Sequence, residues 1–383
     1  MLDRTSQLHF QDVLTLAVAC ALAVIVIWFG YPLVIAALAA MVSRRPAWAA
    51  EVLPTVTVVL ATIDRPDVIR ARVQDLLASE YPADLLDVVV AIDRSAPGAA
   101  DALDDLGPQV RFVAGDAPGG KAASLNAGVR AAKGTTLVFT DAAQRFEPLT
   151  IRRLVDALAD PSLGAVSGAL QIGRDGVPRT LAERYWILER RLRAAEARLH
   201  SAVGVTGAVY AMRRECWHPL PPGVILDDVY GPMDLVLRGH RVGFEPAAIA
   251  WDERRFPPAQ EFKRKARTLT GVLQLCAWLP AVLIPWRNPI WLQFLFHKLL
   301  RLVTPYLLLV GAVSAAAWLA TGGGGISPRA GSLLLVSMVT VVVLAVAAVP
   351  RVRRAVTMAV AMQGAVVRAT VNGLRGHWDV WSR

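Results

Sequence analysis

Gly119-Gly120-Lys121 opens a run that closes on Asp141, and these residues are the first in the chain whose types and spacing could do chemistry. The run continues Ala122-Ala123-Ser124-Leu125-Asn126-Ala127-Gly128 and passes Lys133-Gly134 before reaching Thr136-Leu137-Val138-Phe139-Thr140. Ala122, Leu125, Ala127 and Val129 predict a short helix with Gly134 as its C-terminal cap. A cation in the first turn of a helix is unfavourable unless an anion sits there, so Lys121 reads either as a solvated lysine or as a phosphate ligand. The apolar stretch 136–140 predicts a buried parallel strand, and a carboxylate just beyond it lies at the sheet edge where open α/β folds bind ligands. A second strand-like stretch, 87–93, also ends in an aspartate, Asp93. Taken singly, such an aspartate reads as a helix cap or turn residue; two at one sheet edge suggest a nucleotide pocket. Asp227-Asp228 is a further acidic pair, which either opens a helix or takes part in chemistry.

Strand-like stretches at 55–61, 87–93, 110–114, 136–140, 165–172 and 205–212 must position these side chains, with helical runs at 66–79 and 181–200 among them. Alternation of this kind over 51–267 predicts an α/β fold, a doubly wound and mostly parallel sheet with right-handed crossovers. The 181–200 helix carries charges at three- and four-residue spacing and reads as a solvated face. His200, His218 and His240 have no metal-ligand spacing. Cys20, Cys216 and Cys276 are scattered and predict neither a disulfide framework nor a cysteine metal site.

Outside this stretch the chain is apolar. Hydrophobic residues make up 55% of the 383, and mean hydropathy is +0.43. Val13 to Met41 carries no charge, which suits a membrane span; a cleaved signal is the competing reading, opposed by the length of the segment and by Asp3 and Asp12. The organisation expected is an anchor at 1–45, a cytoplasmic domain at 51–267, interfacial helices at 268–300, two spans within 301–350, and an interfacial or cytoplasmic segment at 351–383, where 355–373 is too broken to read as a span. Ser43-Arg44-Arg45 and Arg351-Val352-Arg353-Arg354 flank the first and last spans and predict an inner-membrane protein with its domain on the cytoplasmic side. The net charge of +10 fits membrane lipid and an anionic substrate as partners. Its dispersed basic residues carry no nucleic-acid motif, so no nucleic acid is expected.

Gly120-Lys121-Ala122-x-x-Leu125-Asn126-x-Gly128 carries a resemblance. So do Val205-Thr206-Gly207-Ala208-Val209-Tyr210, Leu226-Asp227-Asp228, the 239–247 stretch, and Glu261-Phe262-Lys263-Arg264-Lys265-Ala266-Arg267, which occupies the place of a Gln-x-x-Arg-Trp motif. The chain resembles the membrane-bound, processive-type glycosyltransferases of family 2, which share a nucleotide-sugar-binding fold of glycosyltransferase A type with cellulose, chitin and hyaluronan synthases. The resemblance implies an inverting hexosyltransferase of polysaccharide or cell-envelope synthesis. A nucleotide sugar, with UDP favoured, would be the donor, and a lipid-linked or growing saccharide the acceptor. It implies that Asp228 is the general base with Asp227 beside it. Asp64, Asp93, Lys121, Asn126, Asp141, Arg264 and Arg267 would bind the donor, Asp93 at the base and Lys121 at the diphosphate. Thr206, Gly207 and Ala208 would lie on the acceptor side, and Asp141 would hold Mg²⁺ or Mn²⁺.

Four positions depart from the family pattern. Ala61-Thr62-Ile63-Asp64-Arg65 replaces Pro-x-x-Asn-Glu, and Asp93-Arg94-Ser95-Ala96-Pro97 lacks its second carboxylate. Lys265 stands where a tryptophan stacks on the acceptor sugar, which argues against long-chain processive synthesis. Ala143 replaces the second metal aspartate, so a hard cation would depend on Asp141, the donor phosphates and water. These losses leave a second reading, from a different class: a silent member that binds nucleotide and scaffolds a polysaccharide synthesis or export complex.

Overall fold

The computed structural model describes residues 4–42, 49–96, 105–173, 181–254, 257–322 and 326–379. The expected basic flank at 43–45, Pro97, the glycines at 323–325 and the chain end at 380–383 lie outside the described residues. In chain order the elements are α1 (Arg4–Ile25), α2 (Tyr31–Met41), β1 (Val56–Thr62), α3 (Pro66–Leu77), β2 (Leu86–Ile92), β3 (Val110–Ala114), α4 (Lys121–Ala131), β4 (Thr136–Thr140), β5 (Arg145–Phe146) and α5 (Thr150–Leu158). They continue with β6 (Leu163–Ile172), α6 (Leu181–Leu199), β7 (Tyr210–Arg213), α7 (Asp227–Leu237), β8 (Arg241–Asp252), α8 (Pro258–Trp278), α9 (Trp291–Phe294), α10 (Leu300–Ala320), α11 (Pro328–Ala348) and α12 (Pro350–Leu374). Two compact units divide the chain: 35–257 with 271–294 and 377–383, and 1–34 with 258–270 and 295–376.

The first unit is built on one eight-stranded sheet in the order β3-β2-β1-β4-β7-β6-β8-β5. β1 and β4 are buried along their whole lengths, as continuous apolar runs in a covered parallel sheet must be. β3, β2, β1 and β4 run parallel, β7 is antiparallel to both β4 and β6, and β8 is parallel to β6. Two reversals through β7 therefore return β6 and β8 to the direction of β4. The C-terminal ends of β1, β2, β4, β6 and β8 share one edge of the sheet, so the residues that follow each of them gather there.

Two local expectations are revised. The predicted strand 205–212 is shortened to Tyr210–Arg213, because 204–209 is loop: Gly204 takes φ +88 and Val205 N–H donates to the Asp228 carbonyl at 2.8 Å. Gly134 does not cap α4. A Cβ there would come within 2.5 Å of the Thr57 nitrogen, so the glycine is needed for close approach to β1. Most of the 239–247 stretch belongs to β8, which runs on to Asp252 and pairs antiparallel with the short strand β5 through Arg145 and Trp251.

The second unit is helical. A π-helical turn, Val26–Gly30, links α1 to α2, and another, Leu295–Leu299, precedes α10. α1 and α10 approach closely where Gly311 lies: a Cβ there would sit 3.2 Å from Cys20 Cβ. Trp28 Nε1 donates to Thr304 Oγ1 at 3.0 Å, and Tyr31 stacks on Phe296. Among the described residues, three helical stretches are long and apolar enough to cross a membrane: Asp12–Met41, Trp291–Ala320 and Pro328–Ala348. The second begins within the 268–300 segment expected to be interfacial, because helix continues from Trp291 through His297 and Lys298. α12 covers 355–373 as a continuous helix outside those three stretches.

Candidate active site

The edge residues fall into two groups. At the ends of β1 and β2, Asp64 and Asp93 are held by local turns. Asp64 Oδ2 accepts from Thr62 Oγ1 at 2.9 Å, and its amide donates to the same hydroxyl oxygen. The buried carboxylate of Asp93 accepts from Ser95 N–H at 2.9 Å, from Gly120 N–H, and from Ser124 Oγ at 3.5 Å. Burial pushes the Asp93 carboxyl up, but the hydrogen bonds from Ser95, Gly120 and Ser124 outweigh it and hold it below the ordinary carboxylate range. The Gly120 bond is possible because both Gly119 and Gly120 take positive φ, turning the amide onto Asp93.

The second group surrounds Lys121, the first residue of α4. Its Nζ lies 3.0 Å from Asp141 Oδ1 and 3.3 Å from Asp227 Oδ2. Burial would push the ammonium down, but Asp141, Asp227 and Asp228 together raise it well above the usual lysine range. The lysine is thus a fixed cation. Asp227 is buried, whereas the Asp141 carboxylate keeps 37% of its surface and remains open to a ligand. Asp228, in the first turn of α7, borders the same point: a side chain at Gly207 would come within 3.3 Å of Asp228 Cβ and 3.6 Å of Lys121 Nζ. Glycine at 207 therefore leaves space between the Asp228 side chain and the Lys121 ammonium.

The 204–209 loop is fastened around that space. Thr206 N–H donates to Ser167 Oγ at 2.9 Å, and the Ala208 carbonyl accepts from Thr140 Oγ1 at 2.9 Å. Tyr210 stacks on Phe139 at 4.5 Å, and its buried hydroxyl is pushed far above the usual phenol range by burial first and by Asp227, Asp228 and Asp141 next. Asn126 stands apart from the acidic group. Its amide clamps the Leu220 backbone, Nδ2 donating to the carbonyl and Oδ1 accepting from the N–H, both at 2.8 Å. Arg264 and Arg267 lie on the part of α8 that belongs to the helical unit, where Arg264 is 4.0 Å from Glu261.

Two arginines at this edge escaped sequence reasoning. Arg72 on α3 is fully buried; it pairs with Asp75, donates to Thr140 Oγ1 at 2.6 Å and stacks over Phe146 at 4.1 Å. Arg254, just past β8, is gripped by Asp252 through Nε at 3.0 Å and Nη2 at 2.8 Å, and Gln144 Nε2 donates to the same carboxylate at 2.8 Å. A buried arginine in an amphipathic helix has no sequence signal. Arg254 could have been found only by knowing that β8 ends on the edge where β4 ends.

A divalent cation would meet one carboxylate here, Asp141, already shared with Lys121. No cluster of three His, Cys, Asp or Glu side chains able to hold a metal exists among the described residues. One carboxylate is compatible with an ion carried chiefly by substrate phosphates, which is how Mg²⁺ is commonly bound.

The family described as "Glycosyltransferase like family 2" matches residues 54–271. Over 225 residues the chain is 24% identical to the probable glycosyltransferase YdaM of Bacillus subtilis (strain 168), covering 54% of this chain. It spans about half (53%) of the length of that curated relative. Among solved structures, the mannosyltransferase PcManGT from Pyrobaculum calidifontis, in complex with GDP-Man and Mn²⁺, is similar at TM-score 0.68 and 25% identity, over 94% of this chain and 99% of that one.

Proposed function

The chain belongs to glycosyltransferase-like family 2 and is a glycosyltransferase; from that premise we propose that it inverts the anomeric centre of a nucleotide sugar while moving the sugar to a lipid-linked or growing saccharide. One observation carries this reading. Lys121 bridges Asp141 and Asp227 at the carboxyl edge, with Asp228 across the open space at Gly207.

Asp228 takes the proton of the acceptor hydroxyl as its oxygen attacks the anomeric carbon. The bond from that carbon to the diphosphate breaks, and the nucleoside diphosphate leaves with the electron pair. Lys121, fixed as a cation by its three carboxylates, stabilises the charge that develops on the leaving oxygen. Attack opposite the leaving group inverts configuration. Asp227, buried against Lys121, orients the ammonium. Asp93 and Asp64 face the nucleoside, Asp93 with its acceptor oxygens preset by Gly120 and Ser95. Thr206, Gly207 and Ala208 shape the acceptor side.

Mg²⁺ or Mn²⁺, when bound, would be held by Asp141 and the donor phosphates and would supply further positive charge to the leaving group. A GDP-sugar is a candidate donor beside the UDP-sugar, a reading supported by the similar mannosyltransferase solved with GDP-Man. The three apolar helices and the arginines at 351–354 support a protein anchored in the inner membrane with this edge facing the cytoplasm, in polysaccharide or cell-envelope synthesis.

Replacing Asp228 tests the assignment. Asp228→Asn is expected to lower transfer by about 10²–10⁴-fold, the range for loss of a general base, while nucleotide binding stays within about twofold. A variant that transfers at the normal rate would remove Asp228 from the role of base.

A further inference from the structure

We propose that Arg254 is a diphosphate-binding residue of this chain, at the same carboxyl edge of the sheet as Lys121 and Asp141. The inference rests on the nucleotide-sugar reading above and adds a cation that neither the motifs nor the comparisons assign.

The path of the chain supplies the first argument. After β4 the segment from Asp141 to Arg145 leaves its own strand and crosses the carboxyl edge to pair with β8, Arg145 opposite Trp251. Between β4 and β8 the sheet carries β7 and β6. The loop that begins with Asp141 therefore ends against the last residues of β8, and Asp252, Glu253 and Arg254 emerge beside it. Gln144 fixes the join: it is 2% exposed and donates to Asp252 Oδ2 at 2.8 Å.

The second argument is the state of Arg254 itself. Its guanidinium is oriented by two nitrogens on Asp252, and the Arg254 amide also donates to Asp252 Oδ1 at 3.0 Å. Oriented in this way, the group still keeps 43% of its side-chain surface. Asp252 is the main reason its charge is stabilised, and Asp141 and Asp64 add to the pull from the site side. Arg254 therefore lies within electrostatic reach of both carboxylates at the donor edge. A structural arginine in this fold looks different, as Arg72 shows: wholly buried, with its partners closed around it.

Asp64, Asp93, Asp141, Asp227 and Asp228 are acidic, and Lys121 is the cation paired among them. A nucleoside diphosphate adds further negative charge, so a second cation is needed at the phosphates. Alanine at 143 leaves no second aspartate to fix a metal ion in place. A planar guanidinium, pre-oriented and partly exposed, suits two phosphate oxygens.

The test is titration calorimetry of UDP and GDP into the full-length protein in lipid nanodiscs, with EDTA and, separately, with Mn²⁺. The parent protein is expected to bind at least one of the two nucleotides in EDTA. Arg254→Gln should weaken that binding about tenfold or more, and Arg254→Lys should recover part of it, because charge is kept while the fork is lost. Thermal midpoints within about 2 °C of the parent would show that each variant folds. Parental affinity for Arg254→Gln in EDTA, or binding that depends wholly on Mn²⁺, would overturn the role of Arg254 and leave the transferase reading intact. Absence of binding of either nucleotide by the parent protein in both buffers would sink the transferase reading, and this inference with it.

Discussion

Arg72 and Lys121 are two cations set against consecutive residues, Thr140 and Asp141, at the end of the same strand, yet their surroundings are opposite. Arg72 is closed in. It has no exposed surface, one carboxylate partner in Asp75, a hydroxyl in Thr140 and a ring in Phe146. Burial pushes its guanidinium down to about 10, so it is still charged at neutral pH. Lys121 keeps a quarter of its surface, meets an excess of carboxylates, and is raised. A matched and sealed charge holds a scaffold together. A partly open one with surplus partners can exchange some of them for a ligand.

That contrast breaks most readily at Lys121. Lys121→Met should lower kcat/KM for transfer by about 10²–10³-fold, as expected for losing a preorganised charge at a leaving group. Global stability should fall less than on loss of Arg72, because the Asp141 partner is partly exposed, which thermal unfolding alongside the kinetics would check. Arg72→Met should do the reverse. Removing one partner of a buried pair costs about 3–5 kcal/mol of stability, read as a lower denaturant midpoint, while the fraction still folded keeps its transfer rate within a few-fold. If the two variants behaved alike, the division between scaffold and site at this strand end would fail.

Asp93 gives the smallest effect and sharpens the comparison on the acidic side. Its carboxyl lies below the unfolded value of about 3.9. It therefore adds stability above roughly pH 4, and that contribution is lost as pH falls through the lower folded value. Asp93→Asn should accordingly show a shallower loss of thermal midpoint between about pH 5 and 3 than the parent. An unchanged acid limb would mean that the hydrogen bonds from Gly120 and Ser95 do not hold the carboxylate as described.

Much of this edge was legible in the sequence. The run at 136–140 is short, apolar and bounded, and it forms a strand within the residues expected; Asp93 and Asp141 follow their strands as read. Pro66 starts its helix at the first position, where its fixed φ and missing N–H are tolerated. What was hidden depends on pairings distant in sequence. Nothing local says that β7 runs antiparallel between β4 and β6, or that the residues after Asp141 cross to β8. For that reason the sequence carries no signal for Gln144 or Arg254, and none that sets Arg72 apart from the other polar residues of its helix. Gly134 follows a helix as a capping glycine does, whereas the need for it arises from the backbone of β1. The loop at 204–209 looked like a strand because Val205, Val209 and Tyr210 favour one, but it is pinned to α7 through the Asp228 carbonyl.

The central claim is that the Lys121 edge turns over a nucleotide sugar. Purified full-length protein, presented with UDP-, GDP- and dTDP-sugars under Mg²⁺, Mn²⁺ or EDTA, measures this directly as release of nucleoside diphosphate. Release from at least one donor, dependent on Asp228, is the predicted result. Binding of nucleotide with no turnover of any donor would contradict it and would make the chain a silent member of its family.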